Sequence, residues 1–143
     1  MKEIYELGIV FRGFVLINHV FRTLSIQKEM KSEKDLRGAF ISAINTFVQT
    51  AFKNNSLEYL ESGTILFIFK IAEIHSHDSI SKEPIILYGL VEKTKKSPEK
   101  LVKKFFETVN PIFELFIQRY NGKNFTEANQ FESFKKEIRA FIE

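Results

Sequence analysis

The sequence predicts a three-layer α/β/α sandwich of the α+β class, built on a five-stranded, mostly antiparallel sheet. Three of the five predicted strands are apolar on both faces, so helices are expected to cover both sides of the sheet. Three amphipathic segments supply these helices, in the chain order β-β-α-β-β-β-α-α. With 143 residues, sixteen phenylalanines and no cysteine, the chain is predicted to be one domain, residues 1–143, around an aromatic-rich core without disulfides.

The first two predicted strands form a hairpin. Residues 4–11 begin with alternating polar and apolar positions, and residues 14–21 return as a strand that is apolar on both faces at most positions. Arg12-Gly13 is expected to make the tight turn between them, because glycine adopts a positive φ at no steric cost. Residues 23–34 are polar and are predicted to be a loop.

The most informative segment is residues 35–52, which are predicted to form an amphipathic helix. Its apolar arc covers about 180°, well beyond the roughly 100° that a surface helix needs. One helix, about 10 Å across, cannot cover a face of five strands spaced about 4.8 Å apart. Part of the apolar sheet and one flank of this helix are therefore expected to contact another protein. The interface residues predicted from this helix are Ile41, Asn45, Val48, Gln49 and Phe52.

The alternative is that the flank carrying Ile41, Val48 and Phe52 is covered within the monomer, by loop 23–34 or by a longer strand. Three further strands are predicted after the helix, at residues 57–61, 64–74 and 85–91. The second and third of these are apolar on both faces, as buried strands are.

Two helices are predicted to complete the chain. Ser97 as N-cap and Pro98 at the first helical position start one of them. Pro111 is expected to kink it, and an Asn-Gly pair at 121–122 to end it. A last helix is predicted from about Thr126. Its apolar face carries Phe131, Phe134, Ile138, Phe141 and Ile142.

This element order and two segments resemble the longin, or SNARE-like, fold: Leu-Arg-Gly-Ala-Phe-Ile-Ser-Ala-Ile-Asn-Thr-Phe at 36–47 and Leu-Glu-Tyr-Leu-Glu-Ser-Gly at 57–63. The sequence looks especially similar to stand-alone longin proteins of archaea, including the Asgard lineages. The resemblance covers nearly the whole chain. Profilin-like and roadblock-like folds are the alternatives, although those domains usually begin with a helix and this chain begins with a hairpin.

The resemblance implies a protein-interaction module and not an enzyme. Longin-type domains serve in vesicle trafficking as parts of SNAREs, adaptor complexes, tethers and exchange factors for small GTPases, often as dimers. The expected role is thus a dimerising platform or subunit for a small GTPase regulator or a vesicle-trafficking complex. The expected partner is a small GTPase or another longin or roadblock domain, in a homodimer or heterodimer. No heptad segment follows the last predicted helix, so a fusogenic SNARE is not expected.

The formal charge of +3 is mild, and the 21 basic and 18 acidic residues are interspersed. Proteins that bind nucleic acid usually concentrate lysine and arginine more strongly, so nucleic acid is not the expected partner. The densest basic cluster lies between residues 93 and 104. Its candidates for contact with an anionic membrane or an acidic partner are Lys96, Lys100, Lys103 and Lys104, on one side of a helix. Membrane or nucleic-acid binding through this cluster is the alternative function, and a solvated polar face is the competing interpretation.

No catalytic residue, cofactor or metal site is predicted. The His-Ser-His-Asp run at 75–78 lacks a fourth ligand and a rigid frame, so a solvated loop is expected there. Four carboxylates near strand ends have no accompanying nucleophile or phosphate-binding loop and are expected to be exposed charges. They are Glu58, Glu61, Glu73 and Glu92.

The start of the sequence gives an expectation about location. Lys2 and Glu3 follow Met1 directly, without the apolar stretch of a signal peptide, and no apolar run is long enough to span a membrane. A cytoplasmic protein is therefore expected, with peripheral membrane association as the variant that the basic cluster allows.

Overall fold

A computed structural model of the chain describes residues 1–22 and 58–142. In this part of the chain the fold is α+β, with a five-stranded antiparallel sheet and two α-helices, which confirms that much of the predicted fold class. The predicted loop 23–34 and helix 35–52 lie outside the described residues. So do the interface candidates, which therefore stay predictions: Ile41, Asn45, Val48, Gln49 and Phe52.

The strands of the sheet are β1 (Ile4–Phe11), β2 (Phe14–Val20), β3 (Tyr59–Ser62), β4 (Ile65–Ile74) and β5 (Glu83–Glu92). They lie in the order β2-β1-β5-β4-β3, and all neighbouring pairs are antiparallel. Helix α1 (Pro98–Tyr120) follows β5. A 3₁₀ turn (Ala128–Phe131) then leads directly into helix α2 (Glu132–Ile142).

The turn between β1 and β2 is the predicted two-residue hairpin turn. Arg12 and Gly13 both have positive φ, 51° and 79°, which is the type I′ pattern that matches the twist of paired strands. The turn joins the paired residues Phe11 and Phe14. The register then shifts so that Leu16 has no opposite residue on β1, which is a β-bulge in the edge strand β2.

Strands β1 and β5 and the first half of β4 (residues 65–69) are buried on both faces. The two-sided apolar pattern predicts this for β4 and β5, whereas β1 was predicted only to begin with alternation, and β2, which was also predicted to be covered on both faces, is largely exposed at its ends. One face packs against α1 and α2 in a single core cluster, in which Leu7, Ile9, Leu66 and Leu87 meet Phe105, Phe113, Phe116 and Phe134. The alternate residues on these strands point to the opposite face and are also buried. They include Val10, Phe67, Phe69, Ile86, Tyr88 and Leu90, none more than 7% exposed.

Helix α1 begins and ends where the sequence predicts. The side chain of Ser97 caps the helix by accepting a hydrogen bond from the backbone N–H of Lys100 at 3.4 Å, and Pro98 occupies the first turn. The helix continues without interruption through Pro111. After it ends, Gly122 takes a φ of 82°, the left-handed conformation common just beyond a helix.

The start of the last helix differs from the prediction. The segment predicted as helix from Thr126 is a 3₁₀ turn at Ala128–Phe131, and the α-helix begins only at Glu132. Phe134 packs against Phe116 with ring centroids 5.3 Å apart, as its place on the apolar face predicts. Phe141 was also assigned to that face but is 59% exposed, whereas its neighbour Ile142 packs against the core and is partly buried.

The close packing of α1 on the sheet depends on Gly89 in β5. A Cβ atom at this position would overlap the ring of Phe105, which is fully buried. Glycine inside a strand usually marks such a close approach, because only the absence of a side chain leaves room for the neighbouring element. Gly89 therefore sets how near α1 lies to the centre of the sheet.

Replacing Gly89 with alanine should destabilise the fold. The new methyl group must displace Phe105 or α1, and overpacking of this kind costs about 1–3 kcal/mol. Urea denaturation should show the lower free energy of unfolding.

The combination of Gly89→Ala with Phe105→Leu supplies the control. A leucine removes ring atoms from the point of overlap, so the double variant should lose less stability than the sum of the two single changes. Strictly additive losses would show that Phe105 is not what the methyl group meets.

Candidate interaction surface

The exposed apolar surface of the described sheet is concentrated on its edge strand β2. Phe14 is 74% exposed, Val15 50% and Val20 47%. β2 contains no Lys, Arg, Asp, Glu or Pro, the residues that usually protect an edge strand from pairing with another chain. Within the described residues β2 pairs only with β1. This outer edge is therefore the candidate contact surface of the described sheet.

The main chain of β2 also has groups that point outward. The hairpin's closing pair is hydrogen-bonded, so the next pair, Val10 with Val15, is a non-hydrogen-bonded one. The N–H and C=O of Val15 therefore point away from β1. At the other end, the N–H of Phe21 donates to the carbonyl of Tyr5 at 2.7 Å, and the same alternation turns the groups of Val20 outward. A further strand could hydrogen-bond to both ends of β2.

A groove lies beside β2 on the face that carries the helices. Its volume is about 360 Å³, within the range of pockets that hold ligands or partner side chains. Phe11 and Phe125 meet edge to face at its base, with ring centroids 4.9 Å apart. The apolar walls are Phe11, Phe14, Val15, Leu16, Phe125, Ala128 and Phe131. The polar lining residues are Arg12, Ser76, His77, Asp78, Asn124 and Thr126. Among them, Arg12 and Ser76 both hydrogen-bond to Asp78, and these three residues define the polar end of the groove.

An ion cluster, made of Arg12, Asp78 and Glu83, borders the polar end of the groove. The guanidinium of Arg12 donates to both carboxylate oxygens of Glu83, at 2.9 and 2.6 Å, and to both oxygens of Asp78, at 3.1 and 3.2 Å. The hydroxyl of Ser76 donates to Asp78 at 2.5 Å. The cluster thereby ties the β1–β2 turn to the loop between β4 and β5.

These hydrogen bonds favour the charged form of each group. Those from Arg12 and then Ser76 lower the pKa of Asp78 to about 2. Arg12 likewise holds the pKa of Glu83 below its ordinary value, and the two carboxylates raise the pKa of Arg12. The cluster therefore stays ionised over the whole physiological pH range.

The loop that carries the His-Ser-His-Asp run is held in place, where the sequence suggested a simply solvated loop. Ser76 is only 5% exposed. The N–H of His77 donates to the carbonyl of Lys123 at 3.1 Å, and the N–H of Gly122 donates to the carbonyl of His75 at 2.7 Å. In the described part of the chain, no group of three or more His, Cys, Asp or Glu is placed to hold a metal.

The four lysines of the basic cluster do not form one uniform surface. Lys96 precedes α1, and Lys100 and Lys103 are exposed on its first turns. Lys103 lines a second groove that also contains Glu58, Glu99 and Glu107. Lys104 points to the other flank of α1, where its Nζ lies 3.3 Å from Oε1 of Glu3.

Glu3 is the buried member of this last pair. Its burial disfavours the charged form, but a backbone hydrogen bond and Lys104 outweigh that effect and hold the pKa of Glu3 below its ordinary value. Among the strand-end carboxylates, Glu61 pairs with Lys93 at 2.5 Å and Glu92 lies 3.8 Å from Arg22. These ion pairs neutralise part of the charge that the sequence assigned to open surface.

No protein-family model matches this chain. A search of curated proteins likewise finds no significant match. Within the described residues, no helix is both long enough and apolar enough to cross a membrane. The surfaces of the chain itself are therefore the guide to its function.

The sequence did not single out the residues of the β2 surface. Phe14, Val15 and Val20 belong to a strand that was predicted to be covered on both faces. The available signal was the composition of this strand, the second of the first hairpin, which contains no charged residue. The lack of any charge is unusual for an edge strand, because a charged residue or a proline commonly protects such a strand from pairing with another chain.

Asp78 should make the stability of the protein depend on acid pH. Its pKa falls from an ordinary 3.8 to about 2 on folding, so between these values the folded state binds fewer protons than the unfolded state. This contribution is complete above about pH 4 and is lost as the pH falls towards 2. Melting temperatures measured across this window should fall less steeply for Asp78→Asn than for the natural sequence.

Ser81→Ala, in the same loop, changes no charge and should leave the pH dependence as it is. NMR titration of the Asp78 carboxyl gives a direct reading. A midpoint near 3.8 would contradict the contact with Arg12.

Proposed function

We propose that this chain is a non-enzymatic protein-interaction module of the longin type, a single cytoplasmic domain spanning residues 1–143. The observation that carries the proposal is the uncharged edge strand β2, with Phe14, Val15 and Val20 exposed beside outward-pointing main-chain groups. Exposed apolar residues on a sheet edge favour burial against another protein. The starting hairpin, the antiparallel sheet and the C-terminal helices support the longin-like layering, with residues 35–52 as its third layer.

Assembly through β2 is the central element of this function. An edge strand offers the same row of donors and acceptors to a second copy of itself, so two β2 strands can pair antiparallel about a twofold axis. A related longin or roadblock domain with a similar edge would give a heterodimer by the same contacts. Either dimer would serve as a platform for a small GTPase or for a vesicle-trafficking complex, as the resemblance implies.

A strand edge alone buries less area than the roughly 1,200–2,000 Å² of a stable interface. The interface residues predicted in segment 35–52 complete the proposed surface: Ile41, Asn45, Val48, Gln49 and Phe52.

Val20→Lys should weaken assembly. A lysine on an edge strand introduces a charge that a paired strand would have to desolvate. We expect the dissociation constant to rise at least about tenfold, which corresponds to about 1.4 kcal/mol. Light scattering coupled to size-exclusion chromatography, over a range of protein concentrations, measures the change.

Ile80→Lys is the matched control, because Ile80 is fully exposed in the loop between β4 and β5. It makes the same chemical change outside β2 and should leave assembly unchanged. A natural sequence that stays monomeric at the highest soluble concentration would reject the homodimer.

A second candidate function is peripheral binding to an anionic surface, either a membrane or a nucleic acid. It is favoured by Lys96, Lys100 and Lys103, which are exposed around the start of α1. A lysine near an anionic membrane contributes about 1 kcal/mol, which salt screens. Lys104 contributes less to such a surface than the sequence suggests, because it is paired with Glu3.

The double change Lys96→Glu and Lys100→Glu should abolish any binding of this kind. Flotation with phosphatidylserine vesicles at low salt measures it, and a gel shift with DNA and RNA tests nucleic acid. Lys135→Glu with Lys136→Glu makes the same charge change on α2 and is the control. If the natural sequence neither floats nor shifts nucleic acid at low salt, the second candidate is rejected.

A further inference from the structure

The groove beside β2 is chemically divided. Its walls are aromatic and aliphatic, and Phe14 stands at its rim with three quarters of its surface in solvent, 74%. An aromatic ring exposed to this extent gains from contact with another apolar side chain, because burial removes its surface from water. The apolar part of the groove therefore favours a large aliphatic or aromatic group.

The polar end of the groove favours a cation over an anion. Its ion cluster has two carboxylates and one guanidinium, so the three groups carry one net negative charge. Arg12 already directs four hydrogen bonds at these carboxylates and has one N–H left of the five that arginine carries. A carboxylate oxygen can accept more than one donor, and half of the Asp78 side chain, 50%, is exposed. An incoming cation would thus find acceptors, whereas an incoming anion would find repulsion and few donors.

The main chain beside the groove favours a peptide over an isolated small molecule. Val15 lines the groove, and its N–H and C=O point away from β1. An extended segment can hydrogen-bond to these groups, as peptides do when they add a strand to a sheet edge. In an extended segment, side chains two residues apart point to the same side, so two of them can enter one groove together.

We propose that this groove binds an extended segment of a partner protein in which a large apolar side chain and, two residues away, a lysine or arginine point the same way. The apolar group packs against Phe14 and Phe125, and the cation reaches Asp78 at the polar end. The proposal rests on the interaction role proposed above and names the chemistry of the partner. It assigns recognition to the side of β2 that faces α1 and α2.

The probe is a synthetic hexapeptide, Thr-Thr-Phe-Thr-Lys-Thr, with acetylated and amidated ends. Amide-resolved NMR titration of the full chain should show saturable shifts that centre on Val15, Asp78 and Phe125. Replacing the lysine of the peptide by glutamate should weaken binding about threefold or more, as the loss of an exposed ion pair does. Replacing its phenylalanine by alanine should weaken binding about fivefold, in line with the strength of aromatic contacts.

Phe14→Ala in the protein should also weaken binding about fivefold, since it removes one of these aromatic contacts. Phe14 is largely exposed, so this change should leave the fold intact. Phe141→Ala on α2 is the matched control, because it also removes an exposed phenylalanine, and should bind the peptide as the natural sequence does.

Three outcomes would overturn the proposal. The first is the absence of saturable shifts at the groove up to about 1 mM peptide, since a dissociation constant above this value is too weak for a specific site. The second is equal or tighter binding of the glutamate peptide, and the third is equal binding of the lysine peptide to Phe14→Ala. Shifts at the groove that depend on protein concentration without peptide would assign it to a second copy of the chain instead.

The β2 homodimer and the peptide-binding groove can be rejected independently of each other. A chain that is monomeric by light scattering but binds the lysine peptide at the groove rejects the homodimer and upholds the groove. A dimer through β2 would itself occupy Val15, so the titration is repeated with Val20→Lys. If that variant is monomeric and gives no saturable peptide shifts at the groove, only the groove is rejected.

Discussion

Burial of both faces of the three central strands is the constraint on which the rest of the structure depends. Because β1, β5 and β4 carry apolar side chains on each side, neither face of the sheet centre can serve as a wet surface. Helix α1 lies close against one face, where Gly89 leaves room for the ring of Phe105. With the central strands enclosed, the exposed apolar surface of the described sheet is confined mainly to an edge, and β2 is the edge that carries no charge.

The β1–β2 turn links conformation to electrostatics. Arg12 occupies a left-handed position that a tight hairpin requires, and in that position its guanidinium reaches Asp78 in the β4–β5 loop and Glu83 at the start of β5. The contact is possible because β1 and β5 are antiparallel neighbours, with Phe11 opposite Ile85, so the turn and the start of β5 lie at the same end of the sheet. The ion cluster fixes one end of the groove, and Phe125 closes its base against Phe11.

The two candidate surfaces differ in how well their sequence agrees with what the folded chain exposes. The basic cluster is dense in the sequence, but in the structure Lys104 pairs with Glu3 and Lys103 lies among glutamates, so less of its charge is open. The apolar sequence of β2 is not unusual by itself. It becomes informative once the strand is known to be an edge, because edge strands usually carry charges that prevent pairing with another chain. These contacts thus support the proposed interaction module more than the second candidate, a charged binding surface.

Sequence patterns alone determined the elements that depend on neighbours along the chain. Continuous apolar runs predicted the two-faced strands β4 and β5, Arg12-Gly13 predicted the type I′ turn, and Ser97 and Gly122 predicted the limits of α1, because these signals act within a few residues. The start of α2 was misplaced because the segment before Glu132 forms a 3₁₀ turn, and local spacing does not distinguish a 3₁₀ turn from an α-helical one. Tertiary structure alone decided that β2 is an edge, that Arg12 meets the β4–β5 loop and that the walls of the groove converge. Each of these joins residues far apart in the chain, and strand order, unlike strand identity, leaves no local pattern in the sequence.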